Sequence, residues 1–169
     1  MFWKMRDGAL LKIRPIYPAD EQRMVQFHSG LSERSVYMRY FESLSFTSRT
    51  AHARLARICF ADPERETVLV ALNCDPRSGE EKIVAVGRLS KLADPPHAEV
   101  ALLVLDEFQR QALGTELLHE LIQAARDQNI TRIQAEMLRD NIAIQRVLKQ
   151  FGFHLRLIDP RSVRAEISL

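Results

Sequence analysis

Between Val100 and Thr115 an unbroken apolar hexapeptide, VALLVL, gives way to a short polar connection and then to QRQALGT. Leu113, Leu117, Leu118, Leu121 and Ile122 follow at helical spacing. The apolar run reads as a core strand and the periodic segment as an amphipathic helix. A helix starting just past a strand end points its first amides outward, because no intrahelical carbonyl reaches them. The helix dipole adds partial positive charge at the same place, so an anionic group fits there without a dedicated cation. Gly114 and Ala112 carry little or no side chain, which lets a ligand approach the backbone. Gln109 to Thr115 therefore reads as a pyrophosphate-binding turn. Its donors are the amides of Arg110, Gln111, Ala112, Leu113, Gly114 and Thr115. The Arg110 side chain either adds charge or lies solvated at the surface.

The rest of the chain supplies elements around this turn. LLKIRP (Leu10 to Pro15) reads as a first strand, and Pro18-Ala19-Asp20 opens a helix that runs to about Ser29. Ser32 starts a second helical piece, SERSVYMRYF. Thr47 or Ser48 caps a third, with Ala51, Leu55, Ile58 and Cys59 on one face. Glu66 to Leu72 and Lys82 to Leu89 flank the turn NCDPRSGEE and read as a hairpin. Asp94-Pro95-Pro96 breaks the chain before the strand Ala98 to Leu105. After the central helix come a strand at Thr131 to Met137 and a helix starting near Asp140-Asn141. Ile144, Val147, Leu148 and Phe151 form the buried stripe of that helix, and Gly152 ends it. Two short strands, Phe153 to Ile158 and Val163 to Leu169, complete a mixed sheet with helices on both faces.

Composition narrows the function classes. A net charge of +2 is too small to argue for nucleic acid, yet it tolerates an acidic cofactor. No apolar stretch has the length of a signal sequence or a membrane span. Cys59 and Cys74 show no disulfide or metal-ligand spacing, so no metal is expected and the expected compartment is the cytoplasm. The five histidines read as surface or helix-end residues.

QRQALGT, DNIAIQRVLKQFGF and the order of elements together resemble the GNAT acyltransferase superfamily. The resemblance spans essentially the whole chain, so residues 1–169 are expected to form a single GNAT-like acyltransferase domain. The implied fold is α/β (α+β), with a mixed, mostly antiparallel sheet of about six to seven strands and helices on both faces. The family's acyl-coenzyme A signature places Gln or Arg, Gly, then Gly or Ala at fixed spacing. Gln109, Ala112 and Gly114 stand there, with Ala112 departing from the usual glycine. Upstream, LKIRPIYPAD and FHSGLSERSVYMRYF resemble the GNAT domains of bacterial protein lysine acetyltransferases.

What the resemblance implies is specific. Acetyl-coenzyme A is the co-substrate. The strand from Ala98 to Leu105 splays from Thr131 to Met137, and free amides at Leu103, Val104 and Leu105 pair with the pantetheine arm. An amide near Leu103 stabilises the oxyanion. Glu99 leads that strand and is the implied general base; otherwise it is a solvated strand end. Asn141 is an N-cap whose side chain, in the family, also meets the cofactor. A lysine amine titrates near 10.4, so the neutral nucleophile lies roughly 4.6 kcal/mol uphill at pH 7, and a positioned carboxylate can take its proton. Many family members carry Tyr seven residues after the Asn as general acid. Leu148 stands there and donates nothing, and Tyr37 and Tyr40 are the alternatives near the acceptor segment Leu31 to Phe41. The expected function is transfer of an acetyl group to a protein lysine. The alternatives are a small amine as acceptor, or a non-catalytic acyl-coenzyme A sensor. Neither nucleic acid nor membrane is an expected partner.

Overall fold

The computed structural model describes residues 1–94 and 96–169, so Pro95 of the expected break before the central strand lies outside the described residues. The strands are β1 (Phe2–Lys4), β2 (Leu10–Pro15), β3 (Glu66–Cys74), β4 (Glu81–Lys91), β5 (His97–Val104), β6 (Arg132–Leu138), β7 (His154–Leu157) and β8 (Ser162–Ser168). They form one sheet in the order β1-β2-β3-β4-β5-β6-β8-β7. Among the described residues only β5 and β6 run parallel; every other pair is antiparallel. The helices are α1 (Glu21–Ser29), α2 (Glu33–Tyr40), α3 (Phe46–Arg49), α4 (His52–Cys59), α5 (Leu113–Asp127) and α6 (Ile142–Gln150).

Apolar side chains are buried on both faces of the sheet. Met24 and Phe27 of α1 and Leu55 and Cys59 of α4 pack on one face with Val68 and Val70. On the other face Leu118, Leu121 and Ile122 of α5 and Leu148 of α6 pack on Ile133, Ala135 and Met137. Gly87 shows how tightly α5 lies on β4: a Cβ there would come within 2.9 Å of Leu121 and 3.2 Å of Leu102. Asp20, fully buried, anchors the entry to α1 by accepting from the Arg14 guanidinium at 2.7 and 2.9 Å and from the Tyr17 amide at 2.8 Å.

The sheet has one strand more than the six to seven expected. Residues 2–4 add an edge strand too short for alternation to reveal, aligned by pairs such as Phe2 with Lys12 and by the Met1 ammonium on the Ile13 carbonyl at 2.9 Å. The expected third helix is two helices. Ser45, not Thr47 or Ser48, caps α3 by accepting from the Ser48 amide, and the chain re-enters a helix after Ala51. Between them Arg49 turns inward and donates to the carbonyls of Leu44 and His28, fixing the joint. Cys74 ends β3 rather than lying in the turn. Among the described residues no helix is long and apolar enough to cross a membrane.

Candidate active site

The site begins where β5 and β6 part. Their parallel pairing covers only His97 with Arg132, Ala98 with Ile133 and Glu99 with Gln134. Beyond Glu99, β5 continues to Val104 against β4, while β6 continues to Leu138 against β8. The two strands therefore open a V-shaped notch whose apex is Glu99.

Ladder parity decides which β5 amides face that notch. Leu105 donates to the Val84 carbonyl at 2.9 Å. In an antiparallel ladder hydrogen-bonded pairs alternate, so Leu103, Ala101 and Glu99 also turn their backbone groups toward β4. Val100, Leu102 and Val104 turn theirs toward the notch. The amides of Leu103 and Leu105, expected from the resemblance to bind pantetheine, are thus committed to the sheet, and it is those of Leu102 and Val104 that face the notch. The side chains alternate the opposite way: Leu102 and Val104 face α5, while Glu99, Ala101 and Leu103 face α1, α2 and α4.

Past the strand, a short 3-10 turn at Asp106–Phe108 leads into the loop before α5. Arg110 (φ 60) and Ala112 (φ 67) are both left-handed. Such alternation turns successive amides to one side, making a concave anion-binding nest. The first helical bond of α5 runs from the Glu116 amide to the Ala112 carbonyl, so the amides of Leu113, Gly114 and Thr115 lie ahead of the ladder. A Cβ at Gly114 would meet only Val104 Cγ2, at 4.0 Å. The fold itself does not need glycine there, and the backbone is left open to approach. Ala112 occupies a conformation that favours glycine, which explains why its glycine-to-alanine departure is the strained one.

The Gln109 side chain does not point into this nest. Its Nε2 donates to the Val104 carbonyl at 3.0 Å and to the Ser35 hydroxyl at 3.2 Å. Asp106 accepts from the Ser32 amide and hydroxyl at 3.1 and 2.7 Å and from the Ser35 hydroxyl at 3.0 Å. Burial pushes the Asp106 carboxyl up, but the Ser32 and Ser35 donors outweigh it and hold it below the usual carboxylate range. These bonds strap α2 to the loop that leads into α5. Sequence reading missed Asp106 because its partners lie more than 70 residues away. The only local signal was Ser32 as a cap, which it is.

At the apex, Glu99 is half-buried and accepts from Gln134 Nε2 at 3.4 Å. Register aligns Glu66, Ser90, Glu99, Gln134 and Glu166 in one row across the sheet. Beside this row, on the same face, a cavity of about 230 Å³ is bounded by Ala101 and Leu103 of β5 and by Arg39, Arg54, Arg57 and Arg88.

Asn141 caps α6, its Oδ1 accepting from the Ile144 amide at 3.5 Å. Leu148 is completely buried in the core and far from any proton-donating role. Tyr37 is bonded through its hydroxyl to Arg161, and Tyr40 lines the arginine cavity. Glu116, His119 and Glu120 bring ligating atoms within 4.8 Å of one another on α5, as residues three and four apart on a helix do without any ion.

This geometry coincides with a known family. Residues 11–154 match the profile of the acetyltransferase (GNAT) domain. The acetyltransferase Pat of Mycolicibacterium smegmatis is 26% identical over 149 residues, covering 88% of this chain and 43% of that protein. The chain thus spans less than half the length of that relative. The crystal structure of the GNAT domain of S. lividans PAT superposes with a TM-score of 0.87 at 28% identity, covering 100% of this chain and 96% of that one. The PaiA N-acetyltransferase of Thermoplasma acidophilum, solved in complex with coenzyme A, shares the fold at a TM-score of 0.72 and 16% identity over 94% of this chain and 99% of that one.

Proposed function

The chain belongs to the acetyltransferase (GNAT) family, whose reaction is acyl-coenzyme A-dependent N-acylation, and on that premise we propose that it acetylates protein lysines with Glu99 as general base. The observation that carries this reading is the notch: free β5 amides lead from Glu99 at the apex to the nest at Arg110 to Thr115. Those residues fit acetyl-coenzyme A. The nest suits a diphosphate, the missing Cβ at Gly114 suits close approach, and an open strand edge suits an extended amide-bearing arm. Asn141 joins the cofactor side through its exposed half.

Acetyl-coenzyme A supplies an activated acyl carbonyl. Glu99 takes a proton from the incoming lysine, directly or through water, and Gln134 holds the carboxylate in place. The amine nitrogen bonds to the acyl carbon as the C–S bond breaks. A notch amide, of Leu102 or Val104, meets the developing oxygen charge. Water relays the second proton of the attacking nitrogen to the departing thiolate, because Leu148 has none to give. Attack is direct. Cys59 is buried in α4, where burial, with Asp20 and Glu21 nearby, pushes its thiol up to about 11, and Cys74 lies at the exposed end of β3.

A protein acceptor is supported by the floor beside Glu99. On that face β6, β8 and β7 offer a polar, partly exposed surface laced by the pairs Arg164–Glu136 and Arg156–Glu166. An open charged floor suits an extended chain better than a closed pocket for one small molecule. A peptide library and a panel of small amines, read by coenzyme A release, test the reading. Turnover on lysine peptides is expected. Turnover confined to polyamines or free amino acids replaces the protein acceptor with a small amine. Tight acyl-coenzyme A binding without transfer to any amine makes the chain a sensor.

A further inference from the structure

The cavity beside Ala101 and Leu103 carries a charge imbalance that the transfer reaction does not use. Arg39, Arg54, Arg57 and Arg88 line it. Among the described residues only Arg88 has a carboxylate partner, Glu66. Arg39 and Arg54 instead share one aromatic ring: their Cζ atoms lie 5.1 and 4.7 Å from the Tyr40 centroid. A ring face attracts each cation but leaves their mutual repulsion in place. Three nitrogens in the walls, Arg54 Nε, Arg88 Nε and His28 Nδ1, are buried without a hydrogen-bond partner. Buried polar atoms normally have one, and an orphaned donor is a substantial cost unless a ligand meets it. Burial also pushes the Arg39 guanidinium down from its usual range, with Arg88 and Arg54 adding to that and Tyr40 and Glu99 opposing it. Partly desolvated guanidinium groups with unfilled donors match a planar carboxylate in charge, shape and hydrogen-bond count.

The location says whose carboxylate it is. The cavity shares β5 with the base, Ala101 lying two residues, or about 7 Å, beyond Glu99 on the same face. It lies against β4 and away from β6, so an amine in the notch and an anion in the cavity do not compete for space. The coenzyme A diphosphate has its own nest beyond the strand end. We propose that the arginine cavity is an acceptor subsite for a carboxylate carried next to the reacting amine, so that the chain selects lysines with an acidic neighbour. The proposal rests on the protein-lysine reading for the source of the carboxylate, and on the cavity alone for the anion.

The test compares two peptides that differ only in Glu or Gln beside the lysine. The Glu peptide is expected to have a kcat/KM about tenfold higher, through KM. Arg57→Gln, at an exposed position on α4, is expected to shrink that ratio severalfold, with the melting temperature and coenzyme A affinity unchanged. Arg57→Glu is expected to invert the preference toward a Lys-flanked peptide. A readout independent of turnover titrates glutarate onto the protein and follows the Nε–H resonances of Arg54 and Arg88, which are expected to shift and saturate. Equal use of the two peptides together with unmoved resonances overturns the subsite. If no peptide reacts but free lysine is acetylated better than lysinamide, the subsite stands and the protein acceptor falls. Lysinamide preferred over lysine overturns the subsite. If nothing is acetylated, the glutarate titration alone decides.

Discussion

The two ends of the notch are made of different material. The cofactor end is main chain: amides on the free edge of β5, a left-handed nest at Arg110 and Ala112, and a helix start bare of side chain at Gly114. The acceptor end is side chain: Glu99 held by Gln134, and a cavity walled by arginines stacked on Tyr40. Main-chain donors carry no net charge and do not titrate, so they bind the same group across pH and tolerate drift in residue identity. Charged side chains choose among acceptors and respond to protonation. On the proposed reading, the difference teaches that this chain would fix what it borrows through geometry and what it modifies through electrostatics. Asp106 joins the two by holding α2 against the cofactor loop.

Each half fails in its own way. The largest effect belongs to Glu99→Gln, which is expected to lower turnover at neutral pH by roughly 10²–10⁴-fold with coenzyme A affinity unchanged. Turnover kinetics beside calorimetry check this, and an unaltered kcat removes Glu99 from the chemistry.

Next comes acid. His28, buried under the cavity, is held to about 4 against its ordinary 6.5 by burial and by Arg49 and Arg54. Above pH 6.5 both folded and unfolded chains hold it neutral. As pH falls from 6.5 toward 4, the unfolded chain takes up a proton that the fold refuses, and stability drops by about 3 kcal/mol. Asp20 and Asp106, with carboxyls held below their ordinary 3.8, add their losses only further down. Urea unfolding across that window is expected to show the slope in the parent chain and its absence in His28→Leu. Identical slopes contradict the account.

Gly114→Val sharpens the contrast from the other side. The fold leaves room for the side chain, so melting is expected to shift little, while coenzyme A affinity falls about tenfold because a side chain covers the backbone. The smallest effect is a gain: Ala112→Gly relieves a left-handed alanine and is expected to stabilise the protein by about 1 kcal/mol. Destabilisation there removes the strain argument.

Much of this was legible in the residues. VALLVL, the leucine stripe after it and Gly152 specify the strand, α5 and the end of α6 by local periodicity and backbone preference alone. The hairpin of β3 and β4 is legible for the same reason. What escaped reading depends on register or on distant partners. Residues 2–4 become a strand only because β2 pairs with them. The choice of Leu102 and Val104 over Leu103 and Leu105 needs the parity of the β4–β5 ladder, which no single strand carries. The arginines of the cavity come from α2, α4 and β4, and each looks like an ordinary surface charge until the fold stacks two of them on Tyr40.

The central claim is that main-chain donors along one edge of β5 and at the start of α5 hold coenzyme A. A backbone amide titration with coenzyme A tests it residue by residue. The account predicts saturable shifts at Leu102, Val104, Leu113, Gly114 and Thr115, with the sheet-bound amides of Leu103 and Leu105 changing least. Binding that leaves the first set still, or that moves Leu103 and Leu105 instead, contradicts it.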